Sequence, residues 1–211
     1  MKRVFILAIA VLLSFPIFAE AKSGNTNMPC IKFNGTKYNL LYSAKSPEVN
    51  SYINEYYKTS EGYTSWTELM GVHHYPNYFS PIDYAKTFRE YLSTNNCPSA
   101  LEVDEENNSA IIDFLLIDSS KLPIVLEFNV FRCEKSPICG TVCLQYAKRY
   151  TIMNALEIDK VKKTFMKNRE KYISQIKKME IPDLITVNVD KGKYINHEGI
   201  ENSLESELQL N

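Results

Sequence analysis

Three stretches of alternating apolar and polar residues between 109 and 151 dominate the hydrophobicity pattern, and they can be set against one another. If a turn at 118–122 joins two antiparallel strands, Ile112 faces Phe128, Phe114 faces Leu126 and Leu116 faces Ile124. Centring the next hairpin on Ser136 sets Val130 opposite Val142, Phe128 opposite Leu144 and Leu126 opposite Tyr146. A one-residue slip turns every side chain to the other face, so the pattern predicts a three-stranded meander in this register. Its buried face is led by Ile112, Phe114, Leu126, Phe128, Val130, Val142 and Leu144.

The same periodicities organise the rest of the chain. Ile31 and Phe33 alternate with polar residues, Asn34-Gly35 is a two-residue hairpin signal, and Tyr38, Leu40 and Tyr42 resume the alternation. Ser46-Pro47 marks a break, Val49 to Tyr57 suits a tyrosine-rich strand, Glu61-Gly62 a turn, and Ser65 to Tyr75 a further strand. Ser80-Pro81-Ile82-Asp83 starts a helix: the serine caps free N–H groups, proline suits the first turn, and aspartate favours the positive helix end. This helix runs to about Leu92, with Tyr84 and Phe88 on its core face, and Asn95-Asn96-Cys97-Pro98 ends it. Ile158, Val161, Phe165, Tyr172, Ile173 and Ile176 trace one stripe of a longer amphipathic helix, stopped by Pro182. Ile185 to Val189 suits a short edge strand. The expectation is a single α+β domain over 30–195: a hairpin and two strands, a helix, a three-stranded meander and a long amphipathic helix, with both helices packed on an antiparallel sheet.

The first residues follow a different grammar. Lys2 and Arg3 precede an apolar run from Val4 through Phe18, too short to span a bilayer comfortably, and Ala19-Glu20-Ala21 places small side chains where a signal peptidase needs them. Residues 1–21 are therefore read as a signal peptide cleaved after Ala21, residues 22–29 as a flexible lead, and 196–211 as an acidic flexible tail. The product is expected in a bacterial periplasm or secreted beyond it, with no transmembrane anchor after cleavage. The whole chain has a formal charge of −1, which gives no reason to expect nucleic acid. The charge is uneven: 159–178 is rich in lysine, and 180–211 in acids.

Export changes the reading of the five cysteines, because thiols oxidise in that compartment. The meander register sets Cys133 opposite Cys139 at the mouth of the 134–138 loop, which predicts a cross-hairpin disulfide. Cys30 and Cys97 form the second pair, and Cys143 is left over on the other sheet face. The spacings match no zinc pattern, and neither a metal nor a cofactor is expected.

Candidate chemistry is sparse. His73-His74 are the first catalyst candidates, although adjacent strand residues point to opposite faces, and Cys143 is the candidate nucleophile beside one of them. No phosphate loop, nucleophile elbow or zinc-protease helix is present. Tyr52, Tyr56, Tyr57, Tyr63, Trp66 and Tyr75 crowd one third of the chain, where tyrosine suits either half-buried strands or a surface for holding proteins or sugars. The leading reading is a non-catalytic domain that binds a protein or cell-envelope component. The rival readings are a secreted hydrolase or thiol enzyme using His73 or His74 with Cys143, and a secreted effector acting on a host.

Overall fold

Asn34 and Gly35 both take positive φ, 53° and 79°, the left-handed pair that a two-residue hairpin requires, and they join β1 (Cys30–Phe33) to β2 (Thr36–Ser46). The structure, a computed structural model, describes residues 29–46, 50–62, 65–185, 193–195 and 201–203. The segment read as a signal peptide, the lead up to residue 28, residues 186–189 of the strand expected over 185–189, Tyr63, and the tail apart from 201–203 lie outside the described residues.

After β2 the chain runs through β3 (Ser51–Lys58) and β4 (Glu68–Tyr75) as antiparallel neighbours. It then crosses one face of the sheet as α1 (Pro81–Thr94). Ser80 Oγ accepts the Asp83 N–H at 3.1 Å, which satisfies a backbone donor that the helix itself cannot. The chain re-enters at the opposite edge as β5 (Ser99–Asp104) and returns through β6 (Ser109–Asp118), β7 (Ile124–Lys135) and β8 (Thr141–Ile152). A short 3-10 turn at Ala155–Glu157 leads into α2 (Ile158–Lys177). Beyond it, β9 (Lys193–Ile195) adds to β2 and β10 (Glu201–Ser203) to β9. The product is one antiparallel sheet in the order β10-β9-β2-β3-β4-β8-β7-β6-β5, with β1 also on β2, in a broadly α+β architecture.

The helices lie on opposite faces. Val161, Phe165, Tyr172, Ile173 and Ile176 of α2 bury against Tyr38, Tyr56, Met70, Phe128, Leu144 and Tyr146, with Phe128 and Phe165 stacked 5.4 Å apart. Arg169 fastens this helix to β6 through two bonds to Asp113, at 2.7 and 2.6 Å, and Arg132 Nη1 donates to the Ile176 and Lys177 carbonyls at the helix end. On the other face, Tyr84, Phe88 and Leu92 of α1 pack against Ile112, Phe114, Leu116 and Phe131.

Two buried faces explain why the expected register fails. β7 is buried at nearly every position, so its apolar residues do not alternate in a way that selects a face. Ile112 lies opposite Phe131 rather than Phe128, and Phe114 opposite Asn129 rather than Leu126. This odd offset moves Ile112, Phe114 and Leu116 under α1 and Ile111 to the α2 side. In the next pair, Val130 opposes Tyr146 rather than Val142, an even offset that preserves faces but shifts the turn. The Ser136 N–H reaches back from the end of β7 to the Gly140 carbonyl at 2.9 Å, and Gly140 has φ +73°. A Cβ there would overlap the Tyr75 and Pro76 carbonyl oxygens, so glycine is required.

The shifted turn corrects the cysteine assignment. Cys133 opposes Cys143, not Cys139, and is disulfide-bonded to it across 4.1 Å between Cα atoms. Cys139, in the turn, is exposed with a free thiol. The expected Cys30–Cys97 bridge does not form either: Cys30 lies on β1 beside β2, whereas Cys97 packs with α1, and both are free.

Candidate functional site

The centre of the sheet carries a buried polar row on the α1 side, built from residues that alternate with core side chains along β3, β4, β7 and β8. Gly71 pairs with Glu55 on one side and Gln145 on the other. A Cβ at Gly71 would stand 2.6 Å from Gln145 Oε1 and 3.0 Å from His73 Nε2, so the missing side chain is what lets those two groups meet. His73 Nε2 lies 2.6 Å from Gln145 Oε1, Gln145 Nε2 donates to Asn129 Oδ1 at 2.8 Å, and Asn129 Nδ2 donates to Glu127 Oε1 at 3.2 Å. The amides impose a direction. Because Gln145 donates onward, its oxygen accepts, and His73 must be the donor at Nε2. Nδ1 is then an acceptor, facing the Tyr75 hydroxyl at 3.5 Å.

At the far end, Arg149 donates to Glu127 Oε2 at 3.0 Å while its guanidinium lies 3.6 Å from the centre of the Trp66 ring. The Glu55 carboxyl accepts from the Tyr57 hydroxyl at 2.5 Å. Burial pushes Glu55 up to about 7; the Tyr57 hydrogen bond pulls the other way, and the nearby Glu127 raises it further. Burial lowers His73 to about 4, partly offset by its bond to Gln145. Chemically this is a neutral-imidazole chain running from a phenol to a carboxylate clamped by arginine, with Tyr75 and Phe131 packed at its His73 end and Trp66 at its Arg149 end. His73 is 7 % exposed, and its ring centre lies 5.0 Å from that of Phe131.

The structure does bring His73 and Cys143 together as directly opposed cross-strand residues, but the sulfur is bonded to Cys133 and is no nucleophile. His74 faces the other side, where Nε2–H donates to the Cys139 carbonyl at 2.7 Å. Tyr56, Tyr57, Trp66 and Tyr75 are buried and build core, and Tyr52 is half-buried. Among the described residues, no group of three or more histidine, cysteine or acidic side chains could hold a metal. Glu55, Glu127, Asn129, Gln145 and Arg149 were missed from sequence. Their signal was polar residues at alternate positions inside apolar strands, as in Leu126-Glu127-Phe128-Asn129-Val130.

Exposed apolar groups gather elsewhere. The loops at 76–80 and 136–140 are fastened together by the His74–Cys139 bond, by Cys139 Sγ at 3.3 Å from the Pro76 carbonyl, and by Thr141 Oγ1 donating to the Tyr78 carbonyl at 2.7 Å. On them stand Phe79, 74 % exposed, and Ile138, 85 % exposed.

A protein-family model matches residues 26–181, which takes in β1 through α2. No curated protein and no solved structure matches the chain.

Proposed function

Since the chain belongs to the family whose model spans residues 26–181, a unit that contains both fastened loops, we propose that it is an exported, non-catalytic domain that holds a protein or cell-envelope component at those loops. The observation that carries this is the display of Phe79 and Ile138 on two loops tied to each other by His74, Cys139 and Thr141. Large apolar side chains held outward on a tied framework lose little freedom on docking, so more of their burial appears as affinity. His74 then serves as a clamp that sets the spacing of the loops. The thiol-enzyme alternative loses its support from the pairing of Cys143 with Cys133 and the enclosure of His73.

Export rests on the Lys2-Arg3 start, the apolar run to Phe18 and the Ala19-Glu20-Ala21 step. The Cys133–Cys143 disulfide is compatible with it. Among the described residues no helix is long and apolar enough to cross a membrane.

The test places a photo-crosslinking residue at Ile138, at Phe79 and, as a control, at the exposed Glu106 in producing cells, followed by fractionation. The expected result is one discrete adduct from both loop positions, in the periplasmic or secreted fraction, and none from position 106. Adducts that are absent, or identical from all three positions, overturn the proposal.

A further inference from the structure

The outward face of α2 has a composition that packing on the sheet does not explain. Its apolar stripe is consumed against β7 and β8, yet Lys160, Lys163, Lys167 and Lys171, with Lys178 just past the helix end, recur at intervals of three, four and seven and are all exposed on the opposite side. At 1.5 Å per residue this row is about 27 Å long. Only Asp159 and Glu170 are acidic within the helix, and Glu170 is already held by Arg169 at 2.6 Å. Neighbouring lysines repel one another, which makes the row unfavourable without a counter-charge.

Beyond the N-terminal end of the row lies an apolar tip. Ile124 pairs with Ile152, so the β6–β7 turn and the β8–α2 junction leave the same end of the sheet. There Leu122 is 60 % exposed, Met153 68 % and Leu156 87 %, with the exposed Lys121 alongside. A row of lysines continued by unpaired apolar side chains matches the boundary of an anionic bilayer, where headgroups meet cations and acyl chains meet leucine and methionine.

We propose that α2 and this tip form a docking surface for anionic phospholipid. It is separate from the 76–80 and 136–140 loops, so either surface can fail while the other stands. A soluble polyanion would satisfy the lysines alone and gains nothing from Leu156 and Met153.

The experiment is co-sedimentation of the protein, purified from the cells that make it, with phosphatidylcholine vesicles and with vesicles containing about 40 % phosphatidylglycerol. Binding to the anionic vesicles alone is expected, weakening as salt rises from about 0.05 to 0.3 M. Charge reversal in K163E/K167E is expected to lower the partition coefficient by more than tenfold, at about fivefold for each lysine lost near the surface. M153S/L156S should lower it several-fold while leaving the salt dependence in place. Circular dichroism identical to that of the parent shows that each variant is folded, and K163Q/K167Q gives a milder version if the charge reversal is not. Equal binding to neutral vesicles, no vesicle binding, or a lysine variant that binds as the parent does each overturns the proposal. A Met153 and Leu156 variant indistinguishable from the parent also overturns it, in favour of a soluble polyanion.

Discussion

Replacing Glu55 with glutamine isolates the energetics of the buried row. Glu55 is 2 % exposed, and its carboxyl is pushed up from 4.5 to about 7, first by burial away from water, with the Tyr57 hydrogen bond opposing and the Glu127 charge adding. Between those values the folded protein holds a proton that the unfolded chain releases, so stability falls as pH rises through that window. At about 1.4 kcal/mol for each tenfold, the loss reaches about 3 kcal/mol by pH 8. Glu55→Gln keeps an oxygen for the Tyr57 hydroxyl and removes the charge. The variant should match the parent near pH 4.5 and exceed it by about 3 kcal/mol at pH 8. His73 acts in the opposite sense: burial lowers it from 6.5 to about 4, so the folded state binds fewer protons there and stability is lost as pH falls through that range. The two slopes oppose each other between 4.5 and 6.5. The parent profile should therefore be flatter than that of Glu55→Gln, which should rise with pH. Urea unfolding at constant ionic strength, with the disulfide intact, measures both. A stability difference between the two proteins that stays constant from pH 4.5 to 8 would refute the reasoning.

Gly71→Ala forces a methyl group against Gln145 Oε1 and should cost about 1–3 kcal/mol in urea unfolding, with loss of the His73 ring-proton resonances in their present positions. Arg169→Met leaves the Asp113 carboxylate, 6 % exposed, without its guanidinium; the expected cost is about 3 kcal/mol, and adding Asp113→Asn should recover part of it in a double-mutant cycle. Peptide mapping without reduction should link Cys133 to Cys143 and alkylate Cys30, Cys97 and Cys139. Reduction of that bridge, which closes a loop of ten residues' separation, should lower stability by about 3 kcal/mol.

Local chemistry made several of these features legible in advance. Asn34-Gly35, Ser80-Pro81 and the stripe from Val161 to Ile176 each act within a few residues, and the hairpin, the start of α1 and the apolar side of α2 stand where those signals lie. β5 escaped notice because Leu101 and Val103 alternate with Glu102 and Asp104 on an edge strand that buries little. Register was a tertiary matter. With one helix on each face, Phe128 and Phe131 are both buried on opposite sides, and no periodicity distinguishes the observed pairing from one three residues away. Gly140 carried the missing information, because a glycine needed at positive φ marks the turn and hence the Cys133–Cys143 pairing. The polar row was hidden for a related reason: Glu127 and Asn129 look like solvent-facing positions until α1 and Trp66 are known to pack on that side.

The pairing of β4 with β8 also has a temporal meaning. Glu68 meets Lys148 and Tyr75 meets Thr141, contacts between residues some 65–80 positions apart. Such pairings form late, because a long loop must close before they contribute anything. Until β8 arrives, the earlier strands offer a hydrogen-bonding edge containing Leu69, Met70 and Val72, all of which end fully buried. The seam at the middle of the finished sheet thus shuts after the hairpins on either side of it. Under the export proposed above, the chain would reach the far side of the membrane with that edge open, and the interval between emergence and closure would be the time of greatest exposure to aggregation.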